Sequence, residues 1–518
     1  MIIKKHKFLY PIFFILIIIL SFISFFQAFS FGFIIDDWAL VHGITFNKPE
    51  NLAYTLLVHP IVAYEFKILA PLFGSNPLFF NMVGFVLKIL GAFSVSLMVF
   101  GLTRSFRVSI FSGLILASAS GGLEAFTRAG AHNFAFVIPF ICLSIYFACL
   151  SFRNNSLKFF LISLSFLTLA ILADPGMGAA TAIVLVIFEL LNMFRIKENA
   201  KLSFKHLGLL TFLLVILKLF AINRSEYGLK IISGDNIRFI LENPLTVLHN
   251  YLSSIGNFLI GWIYPFHQVM GGYIQNPFGI WAGIFFIFLI VFFFINYLNK
   301  KGPLQFYLLF FSIWILFFYF PGWIYGKHLV AGGLIVGNTY RYFAISSVGL
   351  SCILGYLLSC LKSSKGILLL IIIIVLNLWT ANATLSLESK YRSVRIQERL
   401  YKKISDEIPK GQSDNLLMFV GKEPFRTIAL EWNGAAPLVS IWGLTRLEDL
   451  PKIILDIQSA EKLICKEILE ESAFSIGLTA DKRIPLSHLY VWESTGEDII
   501  NVSNQFREFI SKDKNCQF

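Results

Sequence analysis

Long apolar runs recur from Phe8 to Ala383, and short polar or charged segments separate them. A run of about 20 apolar residues is long enough to cross the hydrocarbon core of a bilayer as a helix. The pattern therefore predicts about eleven membrane-spanning helices. Their predicted ranges are 8–33, 77–102, 108–123, 134–152, 158–173, 176–194, 207–222, 278–298, 303–320, 342–361 and 366–384. We interpret a further apolar stretch, 251–265, as a short interfacial or re-entrant helix.

The pattern changes after residue 384, where charged residues return and the apolar runs shorten to strand length. An amphipathic helix is predicted at the start of this tail, with Leu387, Tyr391, Val394 and Ile404 on its apolar face. Beyond it we predict strands at Leu416–Val420, Leu438–Trp442 and Leu489–Glu493 and a helix at Leu447–Glu471. The expected fold is mainly α, with a polytopic transmembrane domain at 1–384 and a small α/β domain at 385–518.

Composition supports a membrane protein, because 56% of the 518 residues are hydrophobic and only 14% are charged. A soluble domain carries roughly 25% charged residues. The net charge of +12 does not indicate a nucleic-acid partner, since most basic residues stand in short clusters between the apolar runs. Such clusters set the orientation of spans in the membrane.

The basic N-terminus, with Lys4, Lys5 and Lys7, places the start of the chain in the cytoplasm. Threading the predicted spans from there leaves the C-terminal domain on the extracytoplasmic side of a plasma or inner membrane. The long polar loops then lie outside as well. In the first of them, Asn51–Phe73 is too polar to span and is predicted to lie along the interface as a helix.

Two adjacent acids, Asp36 and Asp37, follow the first predicted span and precede Trp38. Burial beside the membrane and the proximity of two like charges both raise the pKa of a carboxyl group. A raised pKa suits a general base, so both acids are candidate catalytic residues. The alternative is that one Asp caps the helix that follows, a position that Asp favours.

A second polar segment runs from Gly121 to Arg128 at the outer end of the third predicted span, with His132 close behind. If the segment is helical, Glu124 and Arg128 stand four residues apart on one face, and His132 continues that face. The alternative is an exposed ion pair worth only about 0.3–0.5 kcal/mol. Glu124, Arg128 and His132 are candidate substrate-binding residues.

A third cluster, before the tenth predicted span, contains Lys327, His328, Tyr340 and Arg341. A guanidinium at the outer mouth of a span can bind a phosphate through two hydrogen bonds while tyrosine rings line an apolar approach. The alternative is an aromatic belt with a snorkelling arginine. Lys218 is a further phosphate-binding candidate, because an ionisable side chain within a span is costly and usually functional.

In layout, these features resemble the C-type glycosyltransferase superfamily (GT-C), which includes the protein O-mannosyltransferases and the aminoarabinose–lipid A transferases. The shared features are an acidic pair after the first span, an interfacial helix in the first loop, many spans and an extracytoplasmic C-terminal domain. The resemblance covers the whole chain in layout but only short motifs in sequence. It implies sugar transfer, with inversion, from a polyprenyl-phosphate-linked donor to a glycan, lipid or protein acceptor outside the cytoplasm.

The resemblance also implies roles for individual residues. An acid of the Asp36–Asp37 pair would act as the base toward the acceptor, and Arg341 would bind the departing lipid phosphate. Some members bind a divalent metal, for which Asp36 and Glu124 are possible ligands here. This chain has His132 where the second loop of the family frequently carries Asp, and that departure argues against a metal site.

Two other classes of function remain open from the sequence. A transporter or flippase of a lipid-linked glycan or small solute would need charges near the bilayer midplane, where Lys88 is the main candidate. An envelope polysaccharide polymerase or ligase would rely on outer Arg and His side chains. The glycosyltransferase hypothesis further predicts that Asp36, Glu124 and Arg341 share one pocket at the outer leaflet.

Overall fold

The computed structural model describes most of the helical part of the chain and several segments of the tail. The described residues are 9–34, 37–38, 40–41, 59–195, 200–222, 234–262, 278–300, 302–325, 341–409, 415–421, 438, 441–442, 452–454, 485–494 and 498–512. The chain divides into two compact units. The first comprises Met1–Phe29, Tyr54–Tyr64 and Phe80–Ser386, and the second comprises Ser30–Ala53, Glu65–Phe79 and Leu387–Phe518.

Up to residue 392, the structure gives bounds for fifteen α-helices. They are α1 (Leu9–Ile23), α2 (Pro60–Phe73), α3 (Pro77–Thr103), α4 (Phe106–Ser118), α5 (Glu124–Thr127), α6 (His132–Asn154), α7 (Leu157–Ala173), α8 (Pro175–Arg195), α9 (Ala200–Ile222), α10 (Gly234–Glu242), α11 (Pro244–Gly261), α12 (Gly279–Lys300), α13 (Pro303–Tyr325), α14 (Phe343–Cys360) and α15 (Ser363–Arg392).

Within the described residues, seven helices are long and apolar enough to cross a membrane. They cover 77–103, 129–154, 175–193, 279–299, 303–320, 343–360 and 363–389, and three shorter apolar helices cover 11–23, 106–118 and 157–173. In lipid, a helix satisfies its backbone hydrogen bonds within one segment, which is why apolar runs of this length fold as helices. The protein is an integral membrane protein.

Each of the eleven predicted spans coincides with a helix, but two of these helices end earlier than predicted. α1 stops at Ile23, just before Ser24, whose hydroxyl donates to the carbonyl oxygens of Ser21 and Ala117. α4 stops at Ser118, before a pair of glycines. The apolar pattern continues past both ends, so hydropathy alone overestimated the length of these helices.

Helices of the first unit pack closely through small residues. A Cβ on Gly355 of α14 would lie 2.3 Å from Ser112 Oγ of α4, and a Cβ on Gly349 would lie 3.0 Å from the Phe311 carbonyl oxygen of α13. Small residues allow helix backbones in a membrane to approach each other. α11 packs on α12 in the same way, through Gly256 and Gly283. α11 covers most of the ambiguous stretch 251–265 and is not one of the seven long apolar helices.

The C-terminal α/β domain has α16 (Val394–Glu407) as its first described helix and α17 (Ser503–Ser511) as its last. Its four described strands are β1 (Leu416–Gly421), β2 (Lys452–Ile454), β3 (Leu489–Ser494) and β4 (Ile499–Asn501), in the order β2-β1-β3-β4. β1 is parallel to β2 and β3, and β3 is antiparallel to β4.

Helices cover both faces of this sheet, which explains the uninterrupted apolar sequence of β1. Leu417 and Phe419 belong to a buried cluster that includes Ile404 of α16. Leu416 and Met418 point to the opposite face and belong to a cluster that includes Ile510 of α17. Strands buried on both faces are apolar throughout rather than alternating.

The strands predicted at Leu416–Val420 and Leu489–Glu493 are confirmed, and two predictions in the tail are wrong. Residues 438, 441 and 442 are helical. Leu438 and Trp442 are buried while Ile441 is exposed, so their spacing fits a helix face. Lys452–Ile454, inside the predicted helix Leu447–Glu471, is a strand. Short apolar runs do not distinguish helix from strand by periodicity.

Candidate functional site

The loop after α4 places Glu124 through two adjacent glycines. Gly122 has a φ of +78°, a conformation that residues with a side chain rarely adopt. A Cβ on Gly122 would lie 2.2 Å from Ala344 Cα of α14, and a Cβ on Gly121 would lie 2.3 Å from Ser347 Oγ. The two glycines therefore allow the loop to lie directly against α14. α5 begins two residues after Gly122, at Glu124.

Two guanidinium groups converge on the Glu124 carboxylate. Arg128 Nη1 donates to Glu124 Oε1 at 3.1 Å, and Arg341 Nη1 donates to the same oxygen at 3.2 Å. The backbone N–H of Arg341 donates to Glu124 Oε2 at 3.3 Å. These contacts tie the loop after α4 to the start of α14, 217 residues later in the sequence. Among the described residues, this cluster contains two guanidinium groups and one carboxylate.

The two arginines of this cluster differ in exposure. The side chain of Arg128 is 5% exposed, whereas that of Arg341 is 22% exposed. A buried charge is stable only when it is paired, so the contact with Glu124 stabilises Arg128 in the interior. Arg341 is the more accessible of the two, and its guanidinium carbon lies 5.2 Å from the ring centroid of Tyr342.

His132 occupies a different place from the predicted one. α5 ends just before Arg128, whose backbone is extended, so the face that carries Glu124 does not continue to His132. His132 is instead the first residue of α6, it is buried, and its Nε2 lies 3.3 Å from the carbonyl oxygen of Phe126. The expectation of one continuous helical face was wrong, because a 3-10 turn separates α5 from α6.

Lys88 of α3 lies against the same loop. Its Nζ donates to the carbonyl oxygen of Ala119 at 2.9 Å and lies 5.6 Å from the ring centroid of Phe126. Ala119 caps the C-terminus of α4, where helix carbonyls lack partners within the helix and where a cation is favoured. The Lys88 side chain is buried and supports the backbone of the loop.

The turn between α7 and α8 holds a second polar cluster in the first unit. Asp174 Oδ1 accepts from the N–H of Met177 at 2.8 Å and so caps α8. Asp174 Oδ2 accepts from Asn133 Nδ2 at 2.7 Å. His59 Nδ1 lies 3.7 Å from the same carboxylate oxygen and 3.1 Å from the carbonyl oxygen of Ala173. The cluster joins the start of α6 to the start of α8.

The acidic pair belongs to the second unit. Asp36 lies outside the described residues, and Asp37 is buried. Asp37 Oδ2 accepts from the N–H of Ile34 at 3.0 Å, while the N–H of Asp37 donates to the carbonyl of Ile34 at 3.1 Å. The carboxylate of Asp37 thus accepts a backbone hydrogen bond from the residue three positions before it.

The remaining predicted site residues fall outside the described parts of the structure. Lys327, His328 and Tyr340 are among them, and so is the side chain of Lys218, whose backbone lies in α9. Among the residues that are described, no group of three or more His, Cys, Asp or Glu could hold a metal ion. Of the two metal ligands that the sequence allows, Glu124 pairs with two guanidinium groups, and Asp36 lies outside the described residues.

No protein-family model matches the sequence, and no curated protein matches it. Similar solved structures include the archaeal oligosaccharyltransferase AglB from Archaeoglobus fulgidus, in complex with an inhibitory peptide and a dolichol-phosphate. That match has a TM-score of 0.48 and 12% identity and covers 89% of this chain and 67% of the other. The complex of the A. fulgidus oligosaccharyltransferase with Zn and sulfate has a TM-score of 0.49 and 12% identity, covering 92% and 67%.

ArnT from Cupriavidus metallidurans bound to undecaprenyl phosphate is also similar. The TM-score is 0.43 and the identity 12%, and the match covers 87% of this chain and 90% of ArnT.

Two parts of the site were missed by the sequence analysis. These are the Lys88 contact with the Ala119 carbonyl and the Asn133 contact with Asp174. Lys88 contacts a backbone carbonyl at the end of α4, and Asn133 contacts Asp174, the residue just before α8. Backbone groups at helix ends lack partners within the helix and bind groups from outside it. A polar residue that can reach a predicted helix end is the signal that points to such contacts.

Proposed function

We propose that this protein is a glycosyltransferase that transfers a sugar, with inversion, from a polyprenyl-phosphate-linked donor to an extracytoplasmic acceptor. The observation that carries the proposal is the position of Arg341. Its accessible guanidinium stands at the N-terminus of an apolar helix, held there by Glu124. A helix N-terminus and a guanidinium both favour a phosphate group, and the tail of a carrier lipid requires an apolar neighbourhood.

The proposed reaction is a single displacement. Asp36 takes the proton from an acceptor hydroxyl, whose oxygen attacks the anomeric carbon as the bond from that carbon to the phosphate oxygen breaks. Arg341 stabilises the negative charge that develops on the departing lipid phosphate. Asp37 holds the backbone beside Asp36 through its bond to Ile34. Attack opposite the leaving group inverts the configuration at that carbon.

A glycosyltransferase explains the roles of the described residues better than a transporter does. The main feature in favour of a transporter was Lys88, a charge within a predicted span. Its ammonium group donates to the Ala119 carbonyl at 2.9 Å and supports the loop that carries Glu124. That structural role explains Lys88 without a transported substrate.

The base is tested by substituting the acids in the full-length protein. Membranes containing it are incubated with polyprenyl-phosphate sugars labelled in the sugar, and label transferred to lipid, polysaccharide or protein is measured. We expect Asp36→Asn to lower the rate roughly 10²–10⁴-fold, as loss of a general base does. Asp498→Asn removes a largely exposed acid of the C-terminal domain and serves as the control. Unchanged transfer in both Asp36→Asn and Asp37→Asn contradicts the mechanism.

The phosphate site is tested separately by binding of undecaprenyl phosphate to the purified protein in detergent. We expect Arg341→Gln to weaken binding about 10- to 100-fold, because hydrogen bonds to charged groups contribute about 1.5–3 kcal/mol. Arg238→Gln is the matched control, since Arg238 also pairs with a glutamate but is 78% exposed on α10. Equal affinity of wild type and Arg341→Gln for undecaprenyl phosphate would show that Arg341 does not bind the phosphate.

A further inference from the structure

The segment that leads to the acidic pair is joined to the junction between α15 and α16. Phe31 forms an isolated antiparallel bridge with Ser393. The N–H of Gly32 donates to the carbonyl oxygen of Arg392 at 2.6 Å. Residues 31–33 stand only a few positions before Asp36, and all of these residues belong to the second unit. The backbone before the acids is therefore fixed by the first residues of the C-terminal part.

Side chains reinforce this junction. Arg392 is 2% exposed, its guanidinium carbon lies 4.7 Å from the ring centroid of Phe31, and its Nη1 donates to Glu388 Oε2 at 2.7 Å. Removing a partner of a buried guanidinium strongly destabilises a protein. The contacts with Phe31 and Glu388 therefore hold the Arg392 side chain in one position. The contact fixes the first residue of the segment against α15.

The carbonyl oxygen of Phe33 accepts two side-chain hydrogen bonds. Gln397 Nε2 of α16 donates to it at 3.4 Å. Trp38 Nε1, from the residue that follows Asp37, donates to it at 3.1 Å, and the Trp38 and Phe33 rings are in edge contact at 5.3 Å. One carbonyl thus links α16 to the residues that flank the acidic pair.

Gly32 makes this close contact possible. A Cβ at this position would lie 2.0 Å from Gln397 Oε1 and 2.9 Å from its Cδ. Gln397 is buried, so its amide has little room to move away. A larger residue at position 32 would therefore displace the Gln397 amide from its place beside the segment.

We propose that Gln397 is a positioning residue for the acidic pair, acting through the Phe33 carbonyl, with Arg392 and Gly32 fixing the same segment. The inference rests on the proposed function, because it assigns the C-terminal part a role in placing the base Asp36. Misplacement of a catalytic group by about 1 Å can cost about 10²-fold in rate. Gln397 does not touch the reacting groups; its role is to hold the base at the correct position.

The first test is independent of activity. Gln397→Leu keeps the approximate size of the side chain and removes the donor, and Gln505→Leu changes an exposed glutamine of the same unit as the control. Hydrogen exchange of the full-length protein in detergent is followed at the amides of Gly32, Ile34 and Asp37. We expect at least 10-fold faster exchange in Gln397→Leu than in Gln505→Leu. Equal exchange in the two variants overturns the proposal.

The second test separates positioning from stability and from the proposed function. We expect Gln397→Leu to lower kcat for sugar transfer about 10- to 100-fold, with an unchanged KM for the donor and unchanged undecaprenyl phosphate binding. Gly32→Ala should lower kcat similarly, and the double variant Gly32→Ala/Gln397→Ala should lose no more than either single variant, because both changes act through the same contact. If Asp36→Asn abolishes transfer while Gln397→Leu keeps full kcat, the positioning role is wrong and the enzyme assignment stands. If wild type transfers no sugar from any donor, the proposed function fails, and the role in placing a base fails with it.

Discussion

Gly122 adopts a φ of +78°, and the Cα of Ala344 lies 2.2 Å from the place that its Cβ would occupy. Both facts require glycine, the first because of backbone sterics and the second because of the neighbouring backbone. The same turn carries Glu124 toward Arg341. A single residue without a side chain therefore determines where the charged cluster forms.

We expect Gly122→Ala to lower the free energy of unfolding by about 2–5 kcal/mol, since left-handed backbone costs about 1–2 and overpacking about 1–3. Thermal unfolding in detergent measures the effect. Gly74→Ala is the matched control, because Gly74 has a φ of +61° with nothing within 4 Å of its Cβ position. Gly74→Ala should lower the free energy of unfolding only by the cost of the left-handed backbone. Equal losses in the two variants would show that the contact with Ala344 is unimportant.

Between helices, a buried hydrogen-bonded chain joins α6, α8 and α9. His206 Nδ1 lies 3.0 Å from Glu189 Oε1, and His206 Nε2 lies 2.9 Å from Ser151 Oγ. The His206 ring stacks on Phe160 of α7 at 3.7 Å. The side chains of His206 and Glu189 are 0% exposed. Polar groups buried in this way are costly without partners, so the chain specifies how these helices pack.

We expect His206→Phe to destabilise the protein by about 1–3 kcal/mol, because it leaves the buried Glu189 without this partner. Glu189→Leu should destabilise the protein by a similar amount, because it leaves the buried His206 without its carboxylate partner. The double variant should cost clearly less than the sum, since replacing both partners removes the unpaired group. The three variants are compared by unfolding in detergent.

The exposed pair Arg238–Glu242 provides the control for this cycle. Its removal should cost less than about 1 kcal/mol, as is usual for surface ion pairs. Additive effects at His206 and Glu189 would show that their contact does not stabilise the packing.

At the scale of the whole molecule, the distribution of basic residues predicts which side of the membrane each loop occupies. Arg153 and Lys158 flank the turn between α6 and α7, and the threading puts that turn in the cytoplasm. The same threading puts the C-terminal domain outside, where a lipid-linked donor and an extracytoplasmic acceptor would meet.

Cysteine labelling in intact cells tests this topology. In a variant with all six native cysteines replaced, Ser511→Cys of α17 and Asn154→Cys at the end of α6 each provide one exposed thiol. A membrane-impermeant maleimide should label Ser511→Cys in intact cells and Asn154→Cys only after permeabilisation. The reverse pattern would invert the topology and place the proposed acceptor in the cytoplasm.

The sequence by itself determined the long apolar helices and two strands of the α/β domain. An apolar run of span length has one stable conformation in lipid, because the helix alone satisfies its backbone groups there. The four-residue spacing of Glu124 and Arg128 likewise indicated their contact, which is local. The strands at Leu416 and Leu489 were readable because their apolar runs are short and rich in branched and aromatic residues.

Only the tertiary structure decided where helices end and which distant residues meet. α4 ends at Ser118 because the glycines after it close on α14, and α14 is more than 200 residues away in the sequence. The contact of Gln397 with the Phe33 carbonyl spans 364 residues. Such contacts depend on packing between elements and leave no periodic signal along the chain, whereas a helix or an i,i+4 pair is specified by neighbouring residues.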